Sequence, residues 1–194
     1  MDTILLIDGE NFKGKIKSVF KDAQKGKPAW HKYDFKGLLG KVLDGIKIDQ
    51  KVFYFARIKS HDDSKEKSNK LIQEQRLLKT HLENQGFSVV LSGRVRGQLE
   101  DGEKGKKILV FKEKGVDVKI AVDMVSLSCD AKVGNIILGS SDSDLQPAIK
   151  ESRRRGVKCT YLGFETQPNK GMSFTTDKTI LMRNSEVLDF GKLH

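Results

Sequence analysis

Two short apolar runs in this chain end on aspartate. Ile4-Leu5-Leu6-Ile7 leads into Asp8, and Ile136-Ile137-Leu138 passes through Gly139-Ser140-Ser141 to Asp142 and Asp144. Runs this short, rich in isoleucine and closed by Gly or Ser, have the pattern of buried parallel strands. In an open α/β sheet, chemistry gathers beyond the carboxyl ends of the strands. Two such strands would bring three carboxylates to one rim. Carboxylates crowded that way repel, and burying them is costly unless a positive group joins them. Hard divalent cations such as Mg²⁺ or Mn²⁺ take oxygen ligands and meet that need.

The rest of the chain alternates in the same style. Strands are expected at residues 3–7, 51–56, 87–91, 135–139 and 157–162. Helix-like spacing covers 31–44, a long polar helix covers roughly 63–85 and ends at Gly86, and a helix over 116–127 is apolar on nearly every side. That last helix is therefore expected to be deeply packed. Ser143 or Asp144 is expected to cap a helix running to Arg155. Beyond residue 163 the reading is a loop, a short helix near 176–183 and a final extended piece at 187–190. Strands alternating with helices imply βαβ crossovers, hence a mainly parallel sheet in an α/β, Rossmann-like three-layer fold. The 194 residues fit one domain. It carries an insertion near 92–114 and a C-terminal extension over 165–194.

The insertion reads as a β-hairpin with a polar loop. Its basic residues are Arg94, Arg96, Lys104, Lys106, Lys107, Lys112 and Lys114. One reading is an edge ribbon protected by lysines. The other is an arm gripping a phosphate backbone, with Arg57 and Lys59 after the second strand joining Arg94, Arg96, Lys112 and Lys114. Both readings stand on the hairpin alone; the charge of the whole chain bears on its partners. Lys plus Arg total 36 against 26 Asp plus Glu, for a net charge of +10. A basic bulk around an acidic cluster suits a polyanion held by Lys and Arg while metal ions neutralise the local carboxylates. Cys129 and Cys159 belong to no zinc pattern, and Cys159 reads as a buried thiol. Free thiols, short apolar runs and the lack of a basic segment before the first run point to a reducing cytoplasm, with no membrane span and no signal peptide. A homo-oligomer is compatible with this composition.

Asp117 opens the apolar helix, where a first-turn carboxylate is favourable. Asp123, six residues on, lies about 240° around the helix and points elsewhere. It is expected to form a salt bridge away from the site, with Lys119 as a nearby neutralising partner. Asp8 and the Asp142–Asp144 pair each have an ordinary alternative, as a turn former and as helix caps.

Taken together, Ile4-Leu5-Leu6-Ile7-Asp8-Gly9-Glu10-Asn11, the stretch from Lys114-Gly115-Val116-Asp117 to Asp123, and Gly139-Ser140-Ser141-Asp142-Ser143-Asp144-Leu145 resemble the NYN domain. This is a branch of the PIN-like nucleases, with the LabA-like group as the nearest likeness. The resemblance runs from residue 3 to about 164. It implies a sheet of order 3-2-1-4-5, which places the first strand beside the fourth and Asp8 next to Asp142 and Asp144. It also implies Mg²⁺- or Mn²⁺-dependent phosphodiester hydrolysis, usually of RNA, single-stranded RNA above all. By motif, Asp8, Asp117, Asp142 and Asp144 match metal-binding catalytic acids, and Asn11 matches the polar residue supporting the first acid.

The chemistry is consistent with those groups. Metal held by carboxylates polarises a phosphoryl oxygen and lowers the pKa of bound water. None of the histidines (His31, His61, His81, His194) lies in the three motifs, which disfavours histidine acid–base hydrolysis. Ser140 and Ser141 are either turn residues or ligands of a water or phosphate. Two rivals remain. A haloacid-dehalogenase-like phosphatase needs aspartate two residues after its nucleophile, where Glu10 stands. A catalytically weak RNA-binding module on the same fold gains nothing from a carboxylate cluster. A nucleotide-binding regulator lacks both GxGxxG and Walker sequences.

Overall fold

In the computed structural model, which describes residues 1–58, 65–101 and 107–191, the first apolar run is β1 (Asp2–Asp8), the central strand. Around it lie β2 (Gln50–Ala56), β3 (Ser88–Ser92), β6 (Val133–Gly139), β7 (Lys158–Phe164) and β8 (Lys178–Met182), in the order β3-β2-β1-β6-β7-β8. Every neighbouring pair is parallel. The remaining two strands, β4 (Arg94–Asp101) and β5 (Lys107–Lys114), form a separate antiparallel ribbon. With that ribbon set aside, the expected order 3-2-1-4-5 is recovered and one strand is added at the β7 edge.

That added strand corrects the expected helix near 176–183. Thr179 and Ile180 are β-branched and favour extended backbone. Ile180 and Met182 turn inward while Leu181 is exposed, an alternation of period two. The expected extended piece at 187–190 is likewise corrected to a helix, α7 (Asn184–Asp189). Its start is fixed by the Glu186 carboxylate, which accepts the Arg183 backbone N–H at 2.9 Å. Fully buried Val187 anchors it, and the Val187 carbonyl accepts the Tyr33 hydroxyl at 2.7 Å.

The connections are α1 (Gly9–Asp22), α2 (Phe35–Val42), α3 (Lys65–Asn84), α4 (Val116–Cys129), α5 (Gln146–Arg154) and α6 (Lys170–Thr175). The expected helix over 31–44 is split. A 3-10 turn at Trp30–Lys32 comes first, and α2 starts only where Asp34 caps the Gly37 N–H at 2.7 Å. Apolar side chains cover both sheet faces. Leu5, Ile7, Phe12, Phe53 and Leu162 belong to one core, and Ile4, Leu6, Ile120, Ile136 and Tyr161 to the other. A parallel sheet covered on both sides explains why β1 and β6 read as unbroken apolar runs rather than alternating ones. Helix α4 is less buried than its composition suggests. Val116, Ile120 and Met124 face the core at i, i+4 spacing, but Val118 and Val122 are 61% and 53% exposed. Cys159 is buried, and burial pushes its thiol up to about 12. No helix among the described residues is long and apolar enough to cross a membrane.

Candidate metal centre

The carboxyl ends of β1 and β6 lie side by side, with Ile7 paired to Gly139. Asp8 is the last residue of β1 and also the N-cap of α1, its Oδ1 accepting the Asn11 N–H at 3.0 Å. Asp142 stands in the same relation to the β6 end. Its Oδ1 accepts the Asp144 N–H at 2.9 Å and caps a 3-10 turn, Ser143–Leu145, from which α5 continues. Asp142 is therefore the cap, in place of the expected Ser143 or Asp144, because it is the last extended residue before the turn. Capping engages Oδ1 of each side chain, so helix cap and cleft-lining carboxylate coexist in one residue.

Asp117 comes from the first turn of α4, introduced by Gly115 with φ of 90°, a conformation glycine adopts without strain. One carboxylate oxygen from each of Asp117, Asp142 and Asp144 lies within 4.8 Å of the others. A single hard cation with bonds of about 2.0–2.6 Å spans that distance. Asp8 stands outside this trio but lines the same cleft, of about 520 Å³, together with Glu10, Asn11, Lys114, Asp117 and Asp142. Asp8 is only 9% exposed, and burial raises its carboxyl from 3.8 to about 6, with the neighbouring Asp142 and Glu10 charges adding to the rise and hydrogen bonds from the Asn11 and Glu10 backbone opposing it. Among the described residues, none of the four aspartates has an ion-pair partner. An oxygen-only donor set of this kind suits a hard divalent cation.

The loops that carry these acids are cross-tied. Asn11 accepts the Ser141 N–H on its side-chain oxygen at 3.0 Å, linking the ends of β1 and β6. Asn169, at the head of α6, donates to the Ser141 carbonyl at 2.8 Å and to the Ser143 hydroxyl at 3.0 Å. The Ser141 hydroxyl meets the Tyr161 hydroxyl at 3.1 Å, and buried Ser140 accepts the Asp142 N–H at 3.2 Å. Both serines thus serve the loop. Asp123 faces away from the cleft, as its helical phase requires. It binds Lys119 and accepts the Tyr54 hydroxyl at 2.9 Å, and its charge adds to the burial that raises the Tyr54 phenol. Lys119 therefore neutralises Asp123 rather than Asp117.

The basic candidates are placed unevenly. Lys114 is exposed and lines the acidic cleft. Exposed Arg94 pairs with Lys114 across the ribbon, and the Arg57 carbonyl accepts the Val95 N–H at 3.2 Å, so these three meet at the ribbon's base. The backbone register pairs Arg96 with Lys112. The side chains of Arg96 and Lys112, and all of Lys59, lie outside the described residues. Sequence reasoning missed Glu10 and Lys13, which form an ion pair at 2.9 Å, and Asn169. The i, i+3 spacing of Glu10 and Lys13 signals their pairing once α1 is drawn. Asn169 carries no sequence signal, since it meets the site through the fold alone.

A search among curated proteins finds no match. Among solved structures, the fold is similar to that of a protein of unknown function from Vibrio parahaemolyticus, with 18% identity, a TM-score of 0.60 and coverage of 98% of this chain and 96% of that one. The NYN domain family model matches residues 2–182, which contain the β1, α4 and β6 motifs and everything between them. The chain therefore belongs to the NYN domain family, within the PIN-like nuclease superfamily.

Proposed function

We propose that this protein is a divalent-metal-dependent nuclease that hydrolyses phosphodiester bonds in single-stranded RNA. The observation that carries the reading is the convergence of Asp117, Asp142 and Asp144 within 4.8 Å, at the rim where Asp8 lies buried. An RNA-binding surface with no chemistry gains nothing from such a group, because the carboxylates repel the phosphates it must hold.

In this reading Asp117, Asp142 and Asp144 hold Mg²⁺ or Mn²⁺, which when bound polarises the phosphoryl oxygen and lowers the pKa of a coordinated water. Asp8 takes the deeper position, where its carboxylate orients the attacking water and accepts its proton. Asn11 fixes the distance between the β1 and β6 acids through Ser141. Lys114 at the cleft edge, with Arg57 and Arg94 at the ribbon base, meets the phosphates on either side of the scissile bond.

Incubation of the purified protein with single-stranded RNA tests the reading directly. Cleavage is expected in Mn²⁺ or Mg²⁺, and none is expected in EDTA. Binding without cleavage under every divalent ion would leave the fold as an RNA-binding module.

A further inference from the structure

The acidic cleft does not end at Glu10. That residue also lines a second cleft of about 560 Å³, whose wall includes Lys13, Lys27, Trp30 and Phe55. Lys27 and Pro28 in turn line a third, of about 360 Å³, shared with Lys17, Lys21 and Lys25. The three clefts follow one helix. Glu10, Lys13, Lys17 and Lys21 are spaced i, i+3 and i+4, which puts them on a single stripe of α1. The stripe rises about 17 Å from Glu10 to Lys21. Lys17, Lys21, Lys25 and Lys27 are all exposed, and none has an ion-pair partner among the described residues.

The middle cleft has a different character. The Lys13 ammonium lies 5.4 Å from the centre of the Trp30 ring and 5.7 Å from that of Phe55, while also paired with Glu10. A flat aromatic group entering there meets an indole and a cation together, and both attract π surfaces. An aromatic cleft followed by unpaired lysines matches the alternation of base and phosphate in a polynucleotide. A protein strand or helix would match only if it carried acidic residues at the spacing of these lysines.

We infer that α1 carries a binding track for single-stranded nucleic acid, leading from the acidic cleft across a base-stacking pocket at Trp30 to a phosphate-holding notch at Lys17, Lys21 and Lys27. The track deepens the nuclease reading and rests on it, because it gives the substrate strand its direction out of the site. Its length suits about five stacked nucleotides at roughly 3.4 Å each, and fewer if the strand is extended.

Trp30 is the sole tryptophan of the chain, so its fluorescence reports on the middle cleft alone. The experiment titrates the protein in EDTA with short single-stranded oligoribonucleotides, following tryptophan emission and, with end-labelled strands, anisotropy. The expected result is saturable quenching that tracks binding. The variant Lys17→Glu/Lys21→Glu/Lys27→Glu, changed only at exposed side chains, should bind about 100-fold more weakly at 0.1 M salt, with a salt slope smaller by about 2. Inorganic polyphosphate, which lacks bases, should bind the wild type without quenching. Oligonucleotide binding that leaves Trp30 emission unchanged, or that the triple variant retains at full strength, overturns the track. The readout needs no metal and no turnover. Quenching without cleavage in Mn²⁺ would sustain the track and sink the nuclease reading, and cleavage without quenching would do the reverse.

Discussion

Asp8 is the residue on which stability and proposed chemistry pull in opposite directions. Its carboxyl is raised to about 6 by burial in the fold, against 3.8 when exposed. Between those pH values the folded chain keeps a proton that the unfolded chain has lost. Stability from this group is thus greatest at or below pH 4 and falls as pH rises through 6, by up to about 3 kcal/mol. Urea unfolding across that range should show the fall in the wild type and a flatter profile in Asp8→Asn, which should also be the more stable protein at pH 7.5. Equal slopes in the two proteins would mean that Asp8 is not the titrating group. Asp142 acts differently, as one of the three acids within an ion's reach. Asp142→Asn keeps a capping oxygen for the Asp144 N–H and should preserve the circular dichroism spectrum. Metal-dependent cleavage should drop by more than about 100-fold, beyond the loss usual for residues that only support a ligand. Wild-type rates in that variant would exclude Asp142 from the site. Nothing in the neighbouring sequence distinguishes a capping aspartate from one that also faces the acidic cleft, since here the same side chain does both.

At the scale of elements, the junction between ribbon and α4 sets how the basic surface meets the acids. Gly115 holds φ of 90° between Lys114, on the cleft edge, and Asp117, in the trio. Gly115→Ala should cost about 1–2 kcal/mol in a thermal or urea melt through strain in the left-handed region. It should also weaken metal binding, measured by Mn²⁺ titration, as the first turn of α4 shifts. A variant as stable as wild type would show that the turn relaxes freely. The sequence conveyed the central strands well, because residues covered on both faces must be apolar throughout. It misled at the chain's end for the same kind of reason. β8 is a five-residue edge strand whose outward-facing Leu181 is as apolar as inward-facing Ile180 and Met182, so its alternating burial is not written as alternating polarity, and α7 is too short to show a helical period. The apolar look of α4 overstated its burial, since Val118 and Val122 are not drawn into the core by any neighbour.

Across the whole molecule, a net charge of +10 surrounds a cleft lined by Asp8, Asp117 and Asp142, none of which has an ion-pair partner among the described residues. Long-range attraction brings a polyanion to the surface, and the cleft then requires cations before a phosphate can settle there. Oligonucleotide affinity should therefore fall steeply with salt. Changing Arg57, Arg94 and Lys114 to Gln should reduce the salt slope by about 2 if all three meet phosphates. An unchanged slope would return the ribbon base to a purely structural role.

The amino-acid sequence by itself determined the strand-forming runs, the acids at their carboxyl ends and the excess of positive charge, because burial and local turn chemistry are written in contiguous residues. Only the tertiary structure decided which acids meet. Asp117 and Asp142 are 25 positions apart and come from a helix and a strand end, and no periodicity in the chain encodes the crossing that puts their oxygens within 4.8 Å. The same holds for Asn169 and Trp30, whose site neighbours are supplied by strand pairing and helix packing rather than by adjacent residues.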